Sequence, residues 1–347
     1  MPGDTSIRSN ALDIPDLSCI SPSQLVADSA PSNVCLPVAN KHAPLQHIGR
    51  FAPSPTGRMH AGNIFAALMV WIIERKLNGS VALRIEDIDR ERSHQSYADQ
   101  IMRDLEFLGL EWDKGPLYQH NRLCAYKDAY DLLESKGLCY PCFCSRADLH
   151  TASAPHRGEK TVYSGTCRNL TDAERRIKAQ QHAPATRLMV DHSVISIDDR
   201  FQGPYRQELQ HECGDFLIRR SDGAYAYQLA SVVDDAFQNV TDIVRGCDLL
   251  CSTPQQVYLQ SLLGFSHPSY AHIPLLVASH GKRLSKRNHD ASMDALRSVY
   301  TSPESILGHI AFIAGLVTKD KAYSIEELVS CAHLDTLCRR IEIQWHN

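Results

Sequence analysis

The stretch Arg50-Phe51-Ala52-Pro53-Ser54-Pro55-Thr56-Gly57-Arg58-Met59-His60-Ala61-Gly62-Asn63 narrows the choice of fold more than any other part of the chain. A short apolar segment, His47 to Phe51, precedes it. An amphipathic helix from Ile64 to Leu77 follows, closed by Asn78-Gly79. Val81–Ile85 then reads as a second strand. Strand, Pro/Gly-rich loop, helix and strand make one βαβ unit, which predicts an α/β domain around a parallel sheet. Such a loop lies at the carboxyl edge of the strands, where open α/β sheets take their ligands. The free N–H groups and positive dipole end of the helix suit a phosphate, and a His in the first turn can donate to a phosphate oxygen. The loop is neither a Walker A loop nor a G-x-G-x-x-G fingerprint.

The bulk properties limit the alternatives. At 347 residues the chain has room for two domains, and 43% apolar with 22% charged residues is ordinary for a globular protein. A net charge of −4 gives no global basic field, so contact with nucleic acid has to come from local patches. The longest apolar run, Ile64 to Ile73, is too short to span a bilayer, so no membrane association is expected. There is no secretory signal. Of the 12 cysteines, Cys124, Cys139, Cys142, Cys144 and Cys167 share one region. Reduced thiols around a metal fit this better than a disulfide framework, and the expected compartment is the cytoplasm. Residues 1–46 are rich in Ser and Pro and are expected to be a disordered extension. Their Asp4, Asp13, Asp16 and Asp28 do not suit a transit peptide.

Residues 47–138 read as the first half of the catalytic body. A helix from about Ser93 carries the stripe Ile101, Leu105 and Leu108 and ends at Gly109. Another runs from about Arg122 to Lys136 and ends at Gly137. Residues 139–215 break the α/β rhythm with the cysteines, a polar helix near Asp172–Gln181 and β-like segments at Arg187–Val190 and Val194–Ile197. The pattern resumes over 216–297. Here Phe216–Ile218 is followed by a helix near Leu229–Phe237, a strand at Val240–Arg245, a helix at Thr253–Leu263 and a strand at Ala271–Val277. Residues 298–347 form a short helical segment, with Ser302-Pro303 starting one helix and the capping box Ser324-Ile325-Glu326-Glu327 another.

Cys142-Phe143-Cys144 puts two thiols on one side of an extended segment, and Cys167 supplies a third. A tetrahedral zinc needs a fourth ligand, for which Cys139, His150 or His156 are available. Asp234 and Asp235 form an acid pair, read as structural or as ribose or RNA contacts rather than as acid/base catalysts.

The string Arg50–Gly57 followed by His60-Ala61-Gly62-Asn63 resembles the "HIGH" signature of class I aminoacyl-tRNA synthetases of the glutamyl/glutaminyl branch. Lys282-Arg283-Leu284-Ser285-Lys286-Arg287 resembles their "KMSKS" loop, with Arg283 and Arg287 replacing the usual first Lys and last Ser. The resemblance implies a Rossmann-like nucleotide-binding domain. His60 and Lys286 would serve catalysis, His60, Asn63, Ser285 and Lys286 would bind ATP, and Lys286 would neutralise charge developing on the phosphates. It also implies that Arg50, Phe51, Ala52, Pro53, Ser54, Glu86, Tyr227 and Arg245 bind glutamate. Glu86 would face the ammonium, Arg50 and Arg245 the carboxylates, and Tyr227 would offer a hydroxyl.

The pattern Cys-x-Cys, then Tyr163-x-x-x-Cys167, resembles the short glutamyl-queuosine tRNA(Asp) synthetases. In that family Tyr163 would be the fourth ligand of one structural zinc with Cys142, Cys144 and Cys167, and the insertion would touch a tRNA arm. The expected reaction is tRNA-independent activation of glutamate by ATP and Mg²⁺ to glutamyl-adenylate. Transfer to queuosine at the wobble position of tRNA(Asp) follows. Residues 287–347 alone follow Lys286, too few for the anticodon-binding domain of a full synthetase. The rival expectation is a shortened glutamyl-tRNA synthetase charging the 3′ end of tRNA(Glu). A monomer is expected.

Overall fold

The computed structural model describes residues 46–145, 162–278 and 291–345. Ser285 and Lys286, His150 and His156, and almost all of the expected N-terminal extension lie outside these residues.

Five strands build one parallel sheet: β1 (Ile48–Phe51), β2 (Ser80–Ile85), β3 (Lys114–Tyr118), β9 (Asp242–Gly246) and β10 (Ser269–Ile273), in the order β10-β9-β1-β2-β3. The chain moves outward from β1 through β2 to β3, and later returns on the other side of β1 through β9 to β10. Strand order therefore reverses between β1 and β9, where such sheets open a ligand crevice. Helix α1 (Ala61–Lys76) crosses from β1 to β2. The sequence predicts an amphipathic helix here, yet Ile64, Phe65, Leu68, Met69, Val70, Ile72 and Ile73 are all buried. The sheet packs against α1, and so do α8 (Pro303–Ile313) and α9 (Ile325–Cys331), so little of its circumference meets water. Beyond its end Asn78 takes φ +54°, a left-handed conformation that Asn tolerates better than most residues.

The helices α2 (Gln95–Phe107), α3 (Leu123–Ser135), α5 (Tyr227–Phe237) and α6 (Thr253–Leu263) fall close to where the sequence places them. The C-terminal caps also form: Ser302 Oγ accepts from Ser305 N, and Ser324 and Glu327 close a capping box. No helix among the described residues is long and apolar enough to cross a membrane.

Three parts differ from expectation. β3 carries no strand signal, since Gly115 and Pro116 interrupt it; at the edge of a sheet a Pro leaves no ladder bond unmade. The expected strand Ala271–Val277 is split at Pro274. Its first part is β10, and its second, β11 (Leu275–Val277), pairs in parallel with β12 (Glu342–Gln344) near the C-terminal end. In the insertion, β4 (Cys139–Cys142) pairs antiparallel with β5 (Ala185–Leu188), and β5 with β8 (Phe216–Arg219). Phe216–Arg219 therefore joins the insertion's sheet rather than the resumed parallel sheet. α4 (Asp172–Ala179) is the polar helix expected in the insertion. β6 (Val194–Asp199) and β7 (Gly203–Glu208) form a hairpin, with Gly203 at φ +77° after a three-residue loop. β6 also packs against β10.

Candidate active site

A cavity of about 690 Å³ opens at the carboxyl ends of β1, β2 and β9. Its wall contains Arg50, Phe51, Ala52, Pro53, Ser54, His60, Asn63, Glu86, Tyr227 and Arg245. The structure thus brings together every sequence-predicted ATP and glutamate residue that lies among the described residues.

The loop after β1 is held from both sides. Glu86 N donates to Pro53 O at 3.0 Å, so the residue after β2 latches the loop across the crevice. His60 is the N-cap of α1. Its Nδ1 accepts from Gly62 N at 3.1 Å, while His60 N donates to Asn63 Oδ1 at 3.2 Å. A backbone N–H can only donate, so Nδ1 is unprotonated and the neutral ring carries its proton on Nε2. His60 and Asn63 thus shape the helix start as well as lining the cavity.

Charge in the floor is organised by Asp235. This buried carboxylate accepts from Arg50 Nε at 3.1 Å and Arg84 Nη1 at 2.6 Å. Burial pushes its carboxyl up, but Arg84 and Arg50 prevail and hold it below the usual range. Arg84 also reaches Glu86 at 3.3 Å. Burial raises the Glu86 carboxyl above its ordinary value, against the pull of Arg84 and Arg50. The neighbouring Asp234 is spent on structure, accepting from Gln119, Tyr126 and Arg122 at 3.0, 2.6 and 3.2 Å. Both members of the acid pair are therefore structural: Asp234 ties down α3, and Asp235 sets Arg50.

Arg245, 5% exposed, donates through Nε to His272 Nε2 at 3.1 Å and through Nη2 to Thr253 Oγ1 at 2.8 Å. Its Nη1 is buried without a hydrogen-bond partner among the described residues. A buried guanidinium proton left unpaired is costly, and a ligand carboxylate in the cavity would satisfy it. Tyr227 begins α5 at the cavity edge, and burial raises its phenol above the ordinary value. The sequence reading missed Arg84, Thr253 and His272. They carry no motif, and their importance comes from partners distant along the chain.

In the insertion, the Cys142, Cys144 and Cys167 sulfurs lie within 4.8 Å of one another. Cys144 Sγ is 3.5 Å from Cys167 Sγ, and the Tyr163 hydroxyl is 3.5 Å from Cys142 Sγ and 3.7 Å from Cys144 Sγ. Tetrahedral zinc, with Zn–S of about 2.3 Å and Zn–O of about 2.0 Å, needs S···S of about 3.8 Å and S···O of about 3.5 Å. Three thiols and a phenol at these spacings can hold such an ion. Arg187 lies 3.6 Å over the Tyr163 ring and donates to Cys142 Sγ at 3.2 Å. Burial pushes the Cys142 thiol up, but donors at Tyr163 and Arg187 bring it below its usual value; burial takes Cys144 up to about 12. Cys139 sits on the opposite face of β4 from Cys142 and is not part of this group. Gly214, at φ +70°, permits a close bridge to Tyr163, since a Cβ there would stand 2.5 Å from Tyr163 O.

Comparison with known proteins agrees with this geometry. The family described as tRNA synthetases class I (E and Q), catalytic domain, matches residues 48–335. A glutamyl-Q tRNA(Asp) synthetase of Nitratidesulfovibrio vulgaris is 45% identical over 280 residues, 78% of this chain and 86% of the relative. Another, from Symbiobacterium thermophilum, is 44% identical over 293 residues, 81% of this chain and 90% of the relative. The crystal structure of a glutamate-tRNA synthetase from Elizabethkingia anophelis shares the fold, with a TM-score of 0.74 at 24% identity over 87% of this chain and 68% of that one. The chain belongs to the class I glutamyl/glutaminyl-tRNA synthetase family, on the branch of the glutamyl-Q tRNA(Asp) synthetases.

Proposed function

We propose that this chain condenses glutamate with ATP to glutamyl-adenylate, releasing pyrophosphate. It then passes the glutamyl group to a hydroxyl of queuosine at the wobble position of tRNA(Asp), releasing AMP. The observation that carries the glutamate reading is the unpaired, buried Nη1 of Arg245 beside a cavity. Arg50 and Arg245 in the same wall offer two guanidinium groups to the two carboxylates of glutamate, and Glu86 offers its carboxyl to the ammonium. Arg245 takes one carboxylate, Arg50 the other, and Glu86 the ammonium. Tyr227 offers its hydroxyl across the pocket.

His60, as N-cap of α1, meets the ATP phosphates with the free N–H groups of the helix start, and Asn63 supports it. Ser285 and Lys286 bind the phosphates, and Lys286 offsets the charge that develops as pyrophosphate leaves. Mg²⁺ comes with the ATP. Class I activation is mainly positioning and charge stabilisation, so no general base is required among these residues.

Cys142, Cys144, Tyr163 and Cys167 hold one zinc ion, which supplies folding energy to the insertion and no catalytic ligand position. The second substrate, suggested by the names of the relatives, is tRNA(Asp) carrying queuosine. The working form is a monomer in the cytoplasm.

The test is transfer of labelled glutamate, with ATP, to tRNA(Asp) with and without queuosine and to tRNA(Glu). Labelling confined to queuosine-containing tRNA(Asp) is the expected result. Labelling of tRNA(Glu) would make the chain an aminoacylating synthetase, and labelling of neither would remove the transfer step.

A further inference from the structure

The cross-strand partner of Arg245 is His272, directly opposite in the parallel register of β9 and β10. His272 is fully buried, and its Nδ1 is 2.6 Å from Asp199 Oδ2. Asp199 ends β6 of the insertion's hairpin. It also accepts from the backbone N–H groups of Phe201, Gln202 and His272 at 3.1, 2.9 and 3.1 Å. With so many donors around it, Asp199 is ionised, and it is held below the ordinary carboxylate range even though burial opposes this. Burial and the nearby Arg245 and Arg50 keep His272 neutral. A neutral His beside a carboxylate puts its proton on Nδ1, which leaves Nε2 as an acceptor. The Arg245 Nε–H meets this acceptor at 3.1 Å.

Thr253 completes the cradle. Its Oγ1 accepts from Arg245 Nη2 at 2.8 Å and lies 3.1 Å from Leu249 O and 3.2 Å from His272 Nε2, either of which can take its proton. Two hydrogen bonds thus fix Nε and Nη2 of the guanidinium, and Nη1, which has no partner among the described residues, is left for a ligand. With its proton on Nε2 instead, His272 would bond Thr253 Oγ1 and face the Arg245 Nε–H with a second donor, so the bond that orients the guanidinium would be lost.

We propose that Asp199 and His272 are positioning residues for glutamate: Asp199 fixes the His272 tautomer, and His272 orients Arg245 so that Nη1 meets a substrate carboxylate. A residue of the inserted hairpin thereby sets the amino-acid pocket of the catalytic sheet. The inference rests on the reading that Arg245 binds a glutamate carboxylate.

The test uses glutamate-dependent ATP–pyrophosphate exchange by the full chain, with glutamate and ATP varied separately. His272→Asn keeps a donor near Nδ1 for Asp199 and loses the acceptor for Arg245; His272→Gln keeps an acceptor near Nε2. We expect the Asn variant to raise the glutamate KM about tenfold or more, with the ATP KM unchanged, and the Gln variant to stay within about threefold of wild type. Asp199→Asn leaves the pocket untouched but presents an amide N–H to Nδ1, which favours the wrong tautomer; it too should raise the glutamate KM selectively. Equal KM changes in the Asn and Gln variants, or an unchanged glutamate KM in Asp199→Asn, would overturn the positioning role. Should either His272 variant fail to fold, Asp199→Asn decides alone. If wild type shows no glutamate-dependent exchange, the glutamate reading itself falls and takes the positioning role with it.

Discussion

Arg84 and Glu74 are both wholly buried charged residues, and the fold treats them in opposite ways. Arg84 is matched by Asp235 and Glu86, with Gln238 as a further acceptor at 3.2 Å. Glu74, on α1, sits where Gly49 and Gly79 leave room for it, and neither carboxylate oxygen has a hydrogen-bond partner among the described residues. Burial, reinforced by Asp242 and only partly offset by the nearby Gly49 backbone N–H, Arg200 and Arg75, pushes its carboxyl up to about 8. The unfolded chain ionises near 4.5, so between these values the folded state holds a proton that the unfolded state has lost. Its contribution to stability is full below the lower value and is lost as pH rises through the upper one. We expect Glu74→Gln to remove a slope of up to about 1.4 kcal/mol per pH unit in this window. The variant should also outlast wild type in urea just above pH 8. Parallel stability–pH curves for the two proteins would rule this out. Sequence makes the motif residues visible, from Arg50 to Asn63, because their types are dictated by local chemistry. Glu74, Arg84 and His272 are silent there: only neighbours contributed by other strands and helices make them matter.

Among the elements, β11 and β12 are the shortest paired strands of the described residues. Each has three residues, and a two-stranded sheet of that size has little stability alone. Packing secures it. Trp345 is 7% exposed, its N–H donates to Val277 O at 2.7 Å, and its ring meets His309 edge-on at 5.6 Å. Gln202 bonds both His272 O and Arg340 O, at 2.8 and 2.9 Å, stitching the tail to the insertion's hairpin. Trp345→Ala should cost about 3 kcal/mol or more in urea denaturation. It should also lower hydrogen-exchange protection of the Leu275 amide, which donates to Ile341 O at 2.8 Å. Retained protection would mean that β11 does not depend on this anchor. Helices with clear stripes and caps were legible in advance, such as α2 and α9. β3 and β12 were not, because an edge strand broken by Pro and a three-residue strand offer too few residues for periodicity to show.

For the whole molecule, the parallel sheet holds the ligand crevice while the insertion and the C-terminal segment brace it from outside. The proposed zinc site spans the insertion, since Cys142 ends β4 and Cys144 follows it, while Tyr163 and Cys167 come from later in the chain. An ion held between them would add to the small buried cluster in which Tyr140, Phe143 and Tyr163 already pack together. Cys144→Ser should therefore drop zinc well below one per chain by atomic absorption and lower the thermal midpoint. Unchanged metal content would refute the cluster. Sequence showed that a cysteine-bearing insertion exists, but its contact through Asp199 with His272, behind the cavity-wall residue Arg245, was invisible, because that contact spans two sheets. The pairing of β11 with β12 also bears on the protein's birth. β11 forms part of the cavity wall, yet its partner is the last described strand to leave the ribosome. Until residues 342–344 have emerged, β11 has an unpaired edge, an exposed site for chaperones or for another copy, and this part of the cavity wall cannot mature.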